Sequence, residues 1–305
     1  MSNYTDIPLL SPFKFVQSTV RNIHFDGDFA INNIKSFEAN ICYLQKWQKA
    51  DTTLIQITST IAPNDLQIYK ADGKTVAFSI PFTLKATPTP GTMVYECLVN
   101  FSTLADGIYY LYISGSLMTN SFAFISEPIH VKAMHADTML FTYYNSYNAF
   151  KTFFTTNYKA SFRCEAGIMD FAPERERASY VDEIHDVKTL SAVPYRQFKL
   201  FIGTAAGVAP WVLDLLNRIF ACDNVTIEGL QYETTEGAKW EVNRQKGYPL
   251  YGGSIDIVEA KNLYSNQIAS GLITPGIVAA YDINTNLFGG PEFNNDVHIE
   301  DITLL

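Results

Sequence analysis

The sequence predicts a mainly β protein, with a β-sandwich followed by a second β domain that carries one flanking α-helix. Three observations predict it. Short segments of alternating apolar and polar residues follow one another from residue 41 onward, with a turn signal roughly every ten residues. Aromatic residues make up 14% of the chain, and strands favour them. Helical periodicity is clear in one segment, residues 210–221.

The chain has 305 residues, more than a typical single domain, so we expect two domains. We divide it into an N-terminal arm (1–40), a β-sandwich (41–134), a β domain that contains the helix (135–262) and an extended C-terminal arm (263–305). The C-terminal arm is rich in Asn, Gly and Pro. Arms of this kind suit strand addition to neighbouring subunits, although the frayed ends of monomers have the same character.

In the first domain, alternation predicts strands at 41–47, 52–60, 66–69, 75–82, 92–101, 108–114, 121–125 and 129–132. Asp72 and Gly73 predict a hairpin turn between the third and fourth strands. Leu104, followed by Asp106, Gly107 and Tyr109, has the pattern of a tyrosine corner, in which the phenol hydroxyl reaches back to the backbone. This pattern predicts an immunoglobulin-like sandwich, with structural roles for Asp106, Gly107 and Tyr109.

In the second domain we expect strands at 138–144, 158–171, 198–202, 225–233 and 254–260, the second being one long strand or a bent pair. Pro210 suits the first position of a helix, because its missing amide would have no partner there. Apolar residues then recur every fourth position on a broad stripe that includes Trp211, Leu215 and Ile219, which we expect to pack against the sheet. The charged residues of 172–187 predict an exposed loop or a long hairpin.

Composition limits the classes of partner. The net charge of −9 argues against a phosphate-binding surface, so no sequence-specific nucleic-acid partner is expected. There is no signal-type leader and no apolar run near 18 residues, so neither secretion by the usual signal nor a membrane partner is expected. Charged residues make up 17% of the chain, against about 25% in ordinary soluble domains. This is typical of a subunit with extensive contacts, and equally of a β-rich composition.

The search for chemistry predicts no catalytic, cofactor-binding or metal-binding residues. His130, His135 and Asp137 could approach one another, but the spacing of a zinc site is absent, and isolated surface histidines are favoured. Cys164 and Cys222 could meet, yet reduced core thiols are the preferred interpretation of the cysteines.

Two alternatives to a non-enzymatic assembly protein remain open. Trp47, Trp240 and Tyr251 could stack on sugars in a carbohydrate- or receptor-binding module, and each is as easily a core or interface residue. The acidic residues of the 174–183 loop could serve a glycan hydrolase, although a solvated ion-pair loop is favoured because Arg175 and Arg177 are interleaved with them. These acidic residues are Glu174, Glu176, Asp182 and Glu183.

Several segments carry a family resemblance: 126–129 (SEPI), 141–146 (FTYYNS), 162–165 (FRCE), 211–220 and 248–251 (YPLY). With them, residues 40–262 resemble the virion structural proteins of tailed phages of gut-type bacteria, including the crAss-like group. A β fold with one flanking helix is also similar to the tail-tube and distal-tail family, whose subunits close into rings around the DNA channel. A tube subunit does not require the first domain, which favours a ring, hub or baseplate component.

The resemblance implies a non-enzymatic protein of the virion tail, assembled in the host cytoplasm. Its implied partners are copies of itself in a homo-oligomeric ring and neighbouring tail proteins, and the family has no active site to carry over. We expect no cofactor.

Overall fold

The computed structural model describes residues 5–17, 43–117, 120–181, 185, 187–204, 207–244 and 250–260. Residues 18–40 of the predicted N-terminal arm and the whole predicted C-terminal arm lie outside these ranges. The chain divides into two compact units, one made of residues 1–172 and 197–259 and the other of residues 173–196 and 260–305. The described residues form eighteen strands, two short 3₁₀ helices and one α-helix, so the mainly β prediction is confirmed.

The first half of the chain forms two facing sheets. Its strands are β1 Thr5–Asp6, β2 Phe15–Gln17, β3 Gln45–Gln48, β4 Thr52–Ser59, β5 Leu66–Lys70, β6 Val76–Ile80, β7 Thr83–Thr89, β8 Thr92–Asn100, β9 Gly107–Leu117, β10 Asn120–Ser126 and β11 Ile129–Lys132. One sheet has the order β1-β4-β8-β7, and the other has the order β2-β10-β9-β11-β3, with β5 beside β9 and β6 beside β5.

A hydrophobic core lies between these two sheets. Ile55 and Ile57 of β4 and Leu111 and Ile113 of β9 are fully buried in it, as the alternation of each strand requires. Trp47 is also fully buried and stacks on Phe101 with a ring-centroid distance of 4.7 Å. Of the two alternatives for Trp47, sugar stacking and a core or interface role, the structure supports the core role.

Tyr109 has the contact expected of a tyrosine corner. Its hydroxyl donates a hydrogen bond to the backbone oxygen of Ala105 at 2.9 Å, and its side chain is buried. Asp106, in the turn, pairs with the Lys49 ammonium at 2.7 Å. The immunoglobulin-like classification of the sandwich stays a prediction.

The second half of the chain forms a sheet that closes on itself. Its elements are β12 Thr138–Tyr144, β13 Ala160–Val181, β14 Val187–Ile202, α1 Pro210–Ile219, β15 Asn224–Ile227, β16 Leu230–Thr234, β17 Glu241–Asn243 and β18 Gly252–Glu259. The strand order is β14-β13-β12-β15-β16-β18-β17, and β18 also pairs back with β14. This antiparallel closing ladder runs from Gln197 opposite Val258 to Ile202 opposite Gly253. Closure pairs β14, an end strand of the order, with β18, whereas β17 remains at an edge.

Helix α1 covers the second core. Its buried side chains include Leu215, Leu216 and Ile219, whereas Trp211 at its start is half-buried. The Trp211 ring lies edge-on to Phe162 of β13 with centroids 6.1 Å apart. On the solvent side, Asp214 and Arg218 form the expected ion pair one turn apart. The helix ends at Ile219, two residues before the predicted end at 221.

The predicted single strand at 225–233 is wrong, because two strands meet there in a hairpin. Glu228 and Gly229 have φ angles of 49° and 86°, and they join β15 to β16 as a two-residue turn. Two successive positive φ angles suit the right-handed twist of a hairpin. The apolar positions shift phase across this turn, from Val225 and Ile227 to Leu230 and Tyr232, and the single-strand prediction missed this signal.

Candidate assembly surface

The β13–β14 hairpin is the candidate assembly element. Its strands have 22 and 16 residues, against a typical strand length of about 5–6. Residues 173–181 and 187–196 of these strands belong to the second compact unit. Residues 173–181 and 187–196 lie in the paired strands β13 and β14, which agrees with the long-hairpin alternative.

Three exposed apolar residues flank the connection at 182–186. Tyr180, Val181 and Val187, which we call the hairpin end, are 51%, 52% and 59% exposed. Residues of this kind pack well in strands but gain nothing from facing water. A two-stranded ribbon is marginally stable by itself in water, so a partner that covers these side chains would stabilise it. An exposed apolar group on a strand pair is therefore a contact candidate.

Within the first unit, buried polar groups join the sandwich to the closed sheet. Arg163 of β13 and Asp51, just before β4, form a two-point ion pair with distances of 2.7 Å (Nε to Oδ2) and 2.9 Å (Nη2 to Oδ1). The same guanidinium donates to Thr138 Oγ1 at 3.2 Å and to Glu228 at 3.3 Å. A buried charge pair is tolerated only where such additional bonds complete it.

A side-chain amide makes the next contact along β4. The Gln56 Nε2 atom donates to the Phe153 oxygen at 3.0 Å, and the Phe153 N–H donates to Gln56 Oε1 at 2.7 Å. The same Gln56 amide donates to the buried Glu96 carboxylate at 2.8 Å. Thr53 exchanges two hydrogen bonds with the backbone of Ser161, at 2.8 and 2.9 Å. Together these contacts fix the direction in which the two halves of the first unit meet.

Glu127, between β10 and β11, connects the sandwich to α1. Its buried carboxylate accepts a hydrogen bond from the Trp211 indole at 3.0 Å. Burial raises the pKa of Glu127 to about 8, opposed by the Trp211 hydrogen bond and by the charge of Lys14. The folded protein therefore favours the protonated form of this carboxyl group more than an exposed glutamate would.

The structure brings His130 and His135 together without forming a metal site in the part of the chain that it describes. Their ring centroids lie 5.0 Å apart, and His135 Nε2 is 3.0 Å from the His130 carbonyl oxygen. Burial is the main cause that lowers the pKa of both histidines, so both favour the neutral form. Among the described residues, no group of three or more His, Cys, Asp or Glu could hold a metal ion.

The hydrolase alternative is not tested by the structure. Glu174 is exposed on β13, whereas Asp182, Glu183 and the side chain of Glu176 lie outside the described residues. The other two candidates for sugar stacking, Trp240 and Tyr251, are half-buried. The Arg244 guanidinium lies 5.1 Å from the centre of the Tyr251 ring.

The cysteines that are described are free thiols, as expected. Cys97 and Cys164 are buried, and Cys222 is half-buried. Burial raises the pKa of Cys222 to about 12 and raises the pKa of the other two as well. Thiols in this state are poor nucleophiles.

Sequence reasoning did not identify Asp51, Gln56, Glu127 or Arg163 as contact residues. A signal was present at Arg163, because it stands between Phe162 and Cys164 in a predicted strand and charged residues are seldom buried without a partner. The partner itself could not be read, since Asp51 is 112 residues away.

No protein-family model matches the chain, and no curated protein matches its sequence. In the described part of the chain, no helix is both long enough and apolar enough to cross a membrane.

Proposed function

We propose that this chain is a non-enzymatic structural subunit of a phage tail, a ring, hub or baseplate component that assembles around the DNA channel. Its partners are copies of itself and neighbouring tail proteins, and its location is the virion. The observation that carries the proposal is the hairpin end, where Tyr180, Val181 and Val187 expose apolar surface at the connection of an unusually long strand pair.

The construction of the first unit supports this proposal. A subunit that bears load between neighbours needs parts that keep a fixed orientation. Two features of the first unit fix this orientation. The strand closure pairs β14 with β18, so the sheet has fewer free edges. The Arg163–Asp51 pair makes both of its hydrogen bonds in only one arrangement of the two halves. In a head-to-tail arrangement the contact patch on one subunit meets a different patch on the next, and such contacts close into a ring when the rotation allows.

Sedimentation velocity over a concentration series, with negative-stain images of the largest species, tests the proposal. We expect a single oligomer of fixed size, whose fraction of the total protein increases with concentration. The triple variant Tyr180→Ser, Val181→Ser, Val187→Ser should shift the midpoint of assembly to at least about tenfold higher concentration, which corresponds to about 1.4 kcal/mol of lost contact energy.

The matched control is Leu230→Ser, which removes an apolar side chain that is also 59% exposed, in the β15–β16 hairpin. This control should assemble like the unmodified chain. A strictly monomeric protein at every concentration, or equal assembly of the triple variant and the control, would refute the assignment of the hairpin end.

A further inference from the structure

A crevice of about 310 Å³ opens on the sandwich sheet where β9 and β10 meet the end of β2. Tyr112, Ser114 and Ser116 alternate along β9 and therefore share one face of the sheet. Ser121 of β10 is the register partner of Ser116, so the two hydroxyl groups lie on neighbouring strands of that face. Asn64, whose side chain donates to Ser114, and Gln17, at the end of β2, also line the crevice.

The polar groups of this lining are all uncharged. Each serine hydroxyl can both donate and accept a hydrogen bond, and so can the side-chain amide of Asn64. None of the described residues that line the crevice is charged, so they offer no ion pair to a phosphate, a carboxylate or an ammonium group. These side chains can form hydrogen bonds with the polar atoms of an uncharged ligand that carries many hydroxyl groups.

An aromatic ring supplies the apolar part of the crevice. Tyr112 is half-buried and is held edge-on by the Tyr69 ring, with centroids 6.0 Å apart. A sugar ring has one face of C–H groups, and an aromatic face can cover it while the hydroxyl groups bond around its rim.

The crevice is held in place by close packing. A Cβ atom at Gly115 would lie 2.4 Å from Cε1 of Phe122 and 2.9 Å from the Ala62 oxygen, so only glycine lets the ring lie across β9. On the other side, Asn64 donates to Ser114 twice, from N to the backbone oxygen at 2.7 Å and from Nδ2 to Oγ at 3.1 Å. A site of fixed shape loses less entropy when a ligand binds.

We infer that this crevice is a binding site for a neutral saccharide. Its volume lies at the lower end of the range of about 300–1,000 Å³ for small-molecule sites, which suits a segment of one or two sugar rings. The inference goes beyond a role in assembly: the subunit would also hold a glycan on the sandwich, and its affinity for one short segment would be weak, with a dissociation constant of about 1 mM.

Saturation-transfer NMR tests this on the full chain, with neutral trisaccharides of glucose, mannose, galactose and N-acetylglucosamine as probes at millimolar concentration. We expect transfer to at least one of them. Ser121→Phe, at an exposed strand position, should fill the crevice and weaken binding at least about tenfold. The double variant Ser116→Ala, Ser121→Ala keeps the crevice open and removes two hydroxyl partners, and it should weaken binding as well.

Ser79→Phe is the matched control, because it makes the same change at an exposed serine of β6 outside the crevice. It should bind the saccharide like the unmodified chain. Transfer to none of the four saccharides would overturn the inference, as would equal binding by Ser121→Phe and Ser79→Phe. Preference for a sulfated or carboxylated sugar, or binding of an uncharged Ser/Gly peptide in place of the saccharides, would also overturn it. Sedimentation of the same variants separates this result from the assembly proposal, since neither change touches the hairpin end.

Discussion

The Arg163 guanidinium and the Asp51 carboxylate face each other in a two-point contact between the two halves of the first unit, with side chains that are 5% and 3% exposed. A charge removed from water on this scale is stable only while its partner remains. Loss of either Arg163 or Asp51 should therefore lower the stability of the first unit.

Replacing Arg163 by Met should lower the free energy of unfolding by about 3–5 kcal/mol, because Asp51 would remain buried without its ion partner. Urea denaturation measures this change. The double variant Asp51→Leu, Arg163→Met should be more stable than the single variant, since no lone charge is left. Lys199→Met is the control: its partner Glu241 is 68% exposed, and an exposed pair contributes about 0–1 kcal/mol. Equal losses for Arg163→Met and Lys199→Met would contradict this account.

The stability of the protein should fall as pH rises toward 8 because of Glu127. The folded-state pKa is about 8 and the ordinary value is 4.5, so between these values the folded chain keeps a proton that the unfolded chain has lost. The contribution is fully present below pH 4.5 and is lost as pH rises through 8. At about 1.4 kcal/mol per pKa unit the total is of the order of several kcal/mol.

Thermal unfolding at intervals between pH 6.5 and 8.5 measures this dependence. The window avoids most of the titration of His130 and His135, whose lowered pKa values act in the opposite direction, with stability lost as pH falls below 6.5. Glu127→Gln keeps an acceptor for the Trp211 indole and removes the titration, so its stability should be nearly constant across the window. If the stability of Glu127→Gln changes with pH as steeply as that of the unmodified chain, the pH dependence arises from other groups.

Alanine at Gly203 should cost far more than alanine at Gly237, although their φ angles are 72° and 73°. Both substitutions force a side chain into the left-handed region, at about 1–2 kcal/mol. At Gly203 the new Cβ would also lie 2.6 Å from the Tyr251 backbone oxygen, whereas nothing lies within 4 Å at Gly237. We expect a loss of about 3 kcal/mol or more at Gly203, measured by urea denaturation. Equal losses of unfolding free energy at Gly203 and Gly237 would show that the backbone near Tyr251 can shift to relieve the close contact at little cost.

Removing the Tyr109 hydroxyl should destabilise the chain by about 0.5–1.5 kcal/mol, because the Tyr109→Phe variant loses the bond to the Ala105 oxygen and keeps the ring. Tyr147→Phe is the control at an exposed tyrosine, where a change within about 0.5 kcal/mol is expected. Thermal unfolding of both variants checks the difference. If Tyr109→Phe unfolds like the control, the hydroxyl has no net role in the turn.

The alternation of apolar and polar residues was sufficient to predict the bounds of a strand where that strand has one buried face. The predictions for β11 and β12, 129–132 and 138–144, match the observed bounds, because these strands alternate buried and more exposed side chains. It failed for β7, where nearly every side chain from Thr83 to Thr89 is exposed on either face, so no alternation is present to be read. The pattern was also misread at Glu228 and Gly229, where the apolar positions change from 225 and 227 to 230 and 232 and so mark the turn.

The sequence by itself determined the β class, the start of α1 at Pro210 and the hairpin turn at Asp72 and Gly73, because each depends on neighbours within a few residues. The tertiary structure alone decided that β14 meets β18, that Arg163 meets Asp51 and that Glu127 reaches Trp211. The physical reason is that alternation tells which side of a strand is buried, whereas the identity of the group that covers it depends on how distant segments pack together.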